Sequence, residues 1–126
     1  MKIKLIIAVF LSLNFFGFEV PAPSLKKVNK TIQSTYNIEK FSLKSVSLSK
    51  SINEQLSRKI NNESLFKIIS DNELIGYVYL ENAPSKTATF DFFVLFDANL
   101  IITKSKVLRY REEYGGEIGS KRWLKQ

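Results

Sequence analysis

The residues best suited to chemistry lie in one stretch near the C-terminus, "YREEYGGEIGSKRW", at positions 110–123. Gly115, Gly116 and Gly119, three of the chain's five glycines, fall within it. Glycine permits positive φ and carries no side chain, so main-chain N–H groups there can approach a phosphate or the edge of a flat ring. The stretch therefore predicts a loop that holds a planar, anionic cofactor. A connection in which the glycines only turn the chain is the open alternative.

The composition excludes several kinds of site. The 126 residues include no cysteine and no histidine. The chain therefore lacks thiolate chemistry, a Ser–His or Cys–His nucleophile pair, and zinc sites built on those ligands. The glycine stretch matches neither a Walker motif nor a GxGxxG fingerprint. We predict a carrier or binding domain rather than a self-contained enzyme, with no catalytic residue and no metal site.

Three acidic residues flank the glycines. Glu112, Glu113 and Glu117 could pair as general acid and base. The nearby basic residues instead favour a solvated acidic rim. The basic residues that balance this rim are Arg109, Arg111, Lys121 and Arg122.

Two further side-chain types carry predictions. Asp91 interrupts an apolar strand, so we expect it to meet a backbone donor or a basic partner. Tyr114, inside the glycine stretch, is the preferred candidate for stacking on a flat ring. The tyrosines expected to serve mainly the core or the sheet faces are Tyr77, Tyr79 and Tyr110.

The N-terminus has the pattern of a targeting segment. A basic "MKIK" precedes an apolar run at 5–18, which is short for a bilayer crossing of about 20 residues. Residues 1–19 are predicted to be a signal peptide, with an uncleaved membrane anchor and a buried helix as alternatives, and "VPAPS" at 20–24 to be a spacer. We expect an exported protein, periplasmic or on the outer face of the cytoplasmic membrane. The net charge of +7 is spread along the chain, which favours a solvated basic surface over a nucleic-acid site.

Residues 20–50 are predicted to be a linker and an N-terminal helical region. Leu25, Val28 and Ile32 have helical spacing, whereas "FSLKSVSLS" at 41–49 fits strand and helix equally. Ser51 and Glu54 predict a capping box for a second helix that ends at "NN", 61–62. The apolar face of that helix would consist of Ile52, Leu56 and Ile60.

The pattern changes to strands from residue 65 onward. Apolar alternation separated by "SDNE", "NAPSK" and "DAN" predicts antiparallel hairpins. "TFDFFVLF" is apolar on both faces, which predicts a strand covered on both sides. We therefore expect an α+β domain with a meander of about four strands, N-terminal helices packed on it, and a C-terminal helix start capped by Ser120. The predicted strands are 65–69, 74–81, 89–96 and 100–110.

Residues 76–126 resemble the FMN-binding domain family. The resemblance rests on "GYV", on "FFVLFD" and above all on "YGGEIGSKRW". The family includes the flavin-carrying subunits of the Rnf and sodium-pumping NADH:quinone oxidoreductase complexes, and smaller exported relatives. The complex subunits carry an E-T-P-G-L-G loop. Its counterpart here, "EYGGEIG", is one residue longer and lacks the proline.

The resemblance implies an electron-transfer domain at 51–126 that binds FMN in the cell envelope and has a redox partner there. Many members attach FMN to a Thr or Ser of an SGAT-like motif through a flavin transferase. This sequence contains no such motif, so the domain is predicted to be incomplete or a natural short form. A non-redox envelope binding module and a non-functional fragment remain alternatives. The implied cofactor-binding residues are Glu113, Tyr114, Gly115, Gly116, Glu117, Ile118, Gly119 and Ser120.

Overall fold

The computed structural model describes residues 22–113 and 115–125. The predicted α+β class is confirmed, with five antiparallel strands in the order β1-β2-β3-β4-β5 rather than about four. The extra strand comes from the ambiguous stretch at 41–49. The elements are α1 (Ala22–Tyr36), β1 (Ser42–Ser45), α2 (Lys50–Glu54), β2 (Leu65–Ser70), β3 (Glu73–Pro84), β4 (Thr89–Asp97), β5 (Ile102–Tyr110), the 3₁₀ turn η1 (Gly116–Gly119) and α3 (Lys121–Leu124).

The predicted leader at 1–19 lies outside the described residues. Helix α1 already begins at Ala22, so the spacer predicted at 20–24 is wrong in its second half. A proline in the first turn does not interrupt a helix, because the N–H that it lacks has no intrahelical partner there. Among the described helices, none combines the length and the apolar character that a bilayer crossing requires.

Helix α1 covers one face of the sheet. Val28 and Ile32 are fully buried against β-strand residues of the core, whereas Leu25 is exposed. Burying each of these two side chains contributes about 2 kcal/mol. The Tyr36 hydroxyl donates to the carbonyl of Phe96 at 2.7 Å and so fastens the end of α1 to β4. The buried strand residues of this core are Ile68, Val78, Leu80, Phe93 and Leu95.

The second predicted helix is wrong in length and in its cap. Helix α2 ends at Glu54, and its cap is Ser49, whose hydroxyl accepts from the Ile52 N–H at 3.4 Å. The Asn53 side chain donates to the Ile60 carbonyl at 2.8 Å and accepts from the Ile60 N–H at 2.7 Å. These bonds hold the following residues as a compact loop, because the side-chain amide competes with helical hydrogen bonding.

Strand β4 separates two unlike sheet faces. Asp91, Phe93 and Leu95 are buried on the α1 side, and the alternate residues are only half-buried on the other. The prediction that this strand is covered on both sides is therefore only half right. Among the described elements, α1 covers one side, and the other side stays partly exposed. The half-buried side chains of β4 are Phe90, Phe92, Val94 and Phe96.

Candidate functional site

The sheet face opposite α1 is rich in aromatic rings. Strand pairing sets Phe90 opposite Tyr110 and Phe92 opposite Val107, so these side chains share that face. The Phe90 ring centroid lies 5.7 Å from that of Phe92 and 6.5 Å from that of Tyr110, and Tyr79 lies 6.1 Å from Phe92. These separations are typical of interacting aromatic pairs. We call Tyr79, Phe90, Phe92, Val107 and Tyr110 the aromatic face.

The glycine stretch runs beside this face. A Cβ built on Gly119 would lie 3.8 Å from the Val107 Cβ, and one built on Gly115 would lie 2.9 Å from the Tyr110 hydroxyl oxygen. Gly115 has a φ of +74°. Because Val107 and Tyr110 both belong to the aromatic face, the structure brings two of the predicted glycines together with a surface of tilted and edge-on aromatic rings.

The remaining predicted site residues have different surroundings. Glu113 is exposed, and Ile118 is half-buried with its N–H donating to the Gly115 carbonyl at 3.2 Å. Ser120 caps α3 as predicted, since its hydroxyl accepts from the Trp123 N–H at 3.2 Å. Tyr114 lies outside the described residues. Gly116 and Glu117 are described only through the backbone of η1.

Glu112 has a role that the sequence did not predict. Its carboxylate accepts from the Ser85 hydroxyl at 2.6 Å, from the Thr87 N–H at 2.5 Å and from the Ala88 N–H at 2.9 Å. The Thr87 hydroxyl also donates to this carboxylate. These donors lower the pKa of Glu112 from 4.5 to about 2, and the Ser85 and Thr87 side chains contribute most. The expectation that Glu112 belongs to a solvated rim is wrong. It ties the segment before the glycines to the β3–β4 turn.

Asp91 meets a basic partner, as predicted. Arg111 donates to its two carboxylate oxygens at 2.7 and 3.2 Å, and the Asn82 amide donates at 2.6 Å. Burial acts to raise the pKa of Asp91, but the hydrogen bonds from Arg111 and Asn82 outweigh it and lower the pKa. These bonds and those of Glu112 fix two consecutive residues, Arg111 and Glu112. They lie just before residues 115–119, which we call the glycine loop.

A charged group borders the aromatic face at Tyr79. The Tyr79 hydroxyl donates to Glu81 at 3.0 Å, and Arg58 lies 3.4 Å from the other oxygen of that carboxylate. Burial and the adjacent Glu81 raise the pKa of Tyr79 to about 12. The phenol therefore stays neutral at physiological pH, and the aromatic face remains uncharged there.

Comparison of the chain with known protein families, characterised proteins and solved structures found no match. The resemblance to the FMN-binding domain family therefore stays a prediction. What the glycine loop and the aromatic face can bind is therefore the guide to function.

Proposed function

We propose that this protein is an FMN-binding electron-transfer domain of the cell envelope. One observation carries the proposal. Gly115 and Gly119 stand against Tyr110 and Val107 of the aromatic face, so a loop with few side chains adjoins a surface that suits a flat ring.

The residues fit FMN in shape and in charge. The isoalloxazine ring is flat and apolar on its faces, and rings such as Phe90 and Phe92 offer it stacking partners. Because Gly115 has no Cβ, the loop can lie close to Tyr110, whose hydroxyl oxygen would be only 2.9 Å from an added Cβ. Arg122 follows the loop closely and is exposed, so it can reach a phosphate. We assign no covalent attachment residue.

Bound flavin would supply the redox chemistry, and the protein supplies binding, orientation and control of the potential. The aromatic face would orient the ring, and the glycine loop would exclude water from the ring edge beside it. The Asp91–Arg111 pair and Glu112 would act at a distance, by fixing the start of the loop. An electron donor or acceptor in the cell envelope, and a flavin transferase if attachment is covalent, are the partners that this function requires.

Titration of the full chain, held in detergent micelles, with FMN tests the proposal through quenching of flavin fluorescence. Phe90→Leu keeps the surface apolar but removes the central ring of the aromatic face. Loss of stacking worth about 1.4 kcal/mol should weaken FMN binding about tenfold. Phe66→Leu is the matched control, because Phe66 is half-buried against the core. It should leave the affinity unchanged.

Riboflavin lacks the phosphate, so comparing its affinity with that of FMN separates the contribution of the ring from that of the phosphate. Because Arg122 would contact the phosphate, riboflavin should bind more weakly than FMN. A native chain that quenches neither flavin would contradict the proposal and favour a non-redox binding module.

A further inference from the structure

The β4–β5 hairpin ends in an exposed aliphatic run. Leu100, Ile101 and Ile102 are 62, 62 and 64% exposed. Hairpin turns usually consist of polar residues and glycine, so three consecutive large apolar side chains at this position call for an explanation. We call these three residues the apolar tip.

The backbone of the apolar tip is held in place by hydrogen bonds. The Asp97 carboxylate accepts from the Asn99 N–H at 2.8 Å and from the Ile101 N–H at 3.0 Å. The Leu100 N–H donates to the Asp97 carbonyl at 3.0 Å, and Leu100 has a φ of +63°. A positive φ is uncommon for leucine. The turn is therefore well defined, and it presents its aliphatic side chains outward.

A lysine-lined cleft adjoins the apolar tip. It has a volume of about 430 Å³ and lies between β5 and α3. Ile102 belongs both to the tip and to the wall of this cleft, so the two surfaces are continuous. We call this the basic cleft; it is lined by Ile102, Thr103, Lys104, Ser105, Lys106, Lys121, Leu124 and Lys125.

The lysines of the basic cleft have no acidic partner within the described residues, where the ion pairs involve Lys50, Arg58 and Arg111. Lys106 donates to the Thr31 hydroxyl at 3.4 Å. Burial lowers the pKa of Lys106, and the charges of Lys104, Lys27 and Lys121 lower it further. An external anion would relieve this repulsion.

We propose that the apolar tip and the basic cleft together form a docking surface for an anionic lipid bilayer. The aliphatic side chains of the tip enter the boundary between headgroups and acyl chains, and the lysines contact lipid phosphates. Trp123, on α3, is 48% exposed, and tryptophan is enriched at this depth of a membrane.

A lipid surface explains the two features better than a soluble partner does. A small anion would satisfy the lysines but would leave the apolar tip in water. An acidic peptide in the cleft would also leave Leu100 and Ile101 uncovered, because neither residue lines the cleft. The proposal does not depend on flavin binding.

Trp123 is the chain's single tryptophan and lies on α3, which contributes Lys121 and Leu124 to the basic cleft, so its fluorescence reports on the helix that borders this surface. The full chain is reconstituted in phosphatidylcholine vesicles with or without phosphatidylglycerol, and quenching by brominated lipid is recorded. We expect a blue shift and at least twofold stronger quenching in the anionic vesicles. Added salt should reduce both effects, because it screens exposed charges.

Two pairs of variants locate the contact. Combined glutamine substitutions at Lys104, Lys121 and Lys125 should abolish the anionic-lipid effect, and Ile101→Ser with Ile102→Ser should weaken the quenching. The matched controls, which should behave like the native chain, change exposed residues on other elements. The control for the lysine variant has glutamine at Lys40, Lys44 and Lys67. The control for the isoleucine variant has serine at Ile52 and Leu74.

Equal quenching in neutral and anionic vesicles would overturn the proposal, as would unchanged quenching in the lysine variant. Soluble polyglutamate and inorganic phosphate are added without lipid as comparisons. If polyglutamate or inorganic phosphate shifted the Trp123 emission as far as anionic vesicles do, the proposal would also be overturned. The cleft would then be a site for an acidic protein or for a small anion.

Discussion

At the residue scale, two separate features explain why position 115 favours glycine. Its φ of +74° is costly for other residues, and an added Cβ would lie 2.9 Å from the Tyr110 hydroxyl oxygen. We expect Gly115→Ala to lower the free energy of unfolding by about 1–2 kcal/mol. Chemical denaturation followed by circular dichroism measures this change.

Gly119 provides the control for that substitution. Its added Cβ would meet the Val107 Cβ at 3.8 Å, an ordinary contact, so Gly119→Ala should change stability by less than about 0.5 kcal/mol. Equal losses in the two variants would contradict the geometry assigned to the loop.

Glu112 predicts a pH dependence. Its pKa falls from 4.5 to about 2 on folding, so the native state favours the charged carboxylate. The resulting stabilisation is present above pH 4.5 and disappears as the pH falls through about 2. Glu112→Gln should therefore be less stable than the native chain at pH 7, and the difference should close near pH 2.

Denaturation curves at several pH values test this prediction, with Glu113→Gln as the control. Glu113 is exposed, so at pH 7 Glu113→Gln should change stability much less than Glu112→Gln does. A difference for Glu112→Gln that persists at pH 2 would show that its carboxylate charge is not the cause.

The sequence predicted Asp91 and not Glu112, for a physical reason. A carboxylate inside an apolar strand needs a partner, which made Asp91 informative. Glu112 lies among charged residues, and Thr87, its partner, is 25 positions away. No local pattern could distinguish this anchored acid from a solvated one.

At the scale of elements, the Arg111–Asp91–Asn82 group joins the segment after β5 to β4 and β3. Arg111→Met would leave the buried Asp91 with Asn82 as its remaining side-chain donor. We expect a clear loss of stability, because the buried Asp91 keeps its charge with fewer donors, but a smaller one than for a fully buried pair, because Arg111 is exposed and water screens its charge. Thermal or chemical denaturation measures it.

Arg109→Met is the matched control, since Arg109 is exposed and pairs with Asp91 in strand register without donating a described hydrogen bond to it. It should cost much less than Arg111→Met. A comparable loss in both variants would mean that general charge near Asp91, rather than the specific hydrogen bonds, supports this region.

The long elements were more predictable than the short ones. Strands β2 to β5 follow from alternation and from Asp- and Asn-containing turns, which specify a hairpin locally. Strand β1 and helix α2 span only four and five residues. The stretch that contains β1 fits both periodicities, whereas the helical pattern predicted from Ser51 continues beyond the end of α2. Pairing with β2 makes residues 42–45 a strand. The hydrogen bonds between Asn53 and Ile60 end helix α2 at Glu54.

At the scale of the whole molecule, the two faces of the sheet differ in what covers them. Helix α1 closes one face, and the aromatic face on the opposite side meets the glycine loop. The sequence predicted the α+β class and the glycine loop, but not which face the loop approaches. That placement depends on the register of β4 and β5, including the bulge between Asp91 and Phe92, which periodicity does not encode.

The central claim is that a flat flavin binds on the aromatic face, with its edge beside the glycine loop. NMR spectra of the full chain, isotope-labelled and held in micelles, test it most directly when FMN is added. The account predicts that the largest shifts fall on the amides of Gly115 and Gly119 and on the rings of Phe90 and Tyr110. Shifts confined to the α1 side of the sheet, or no shifts at saturating FMN, would contradict it.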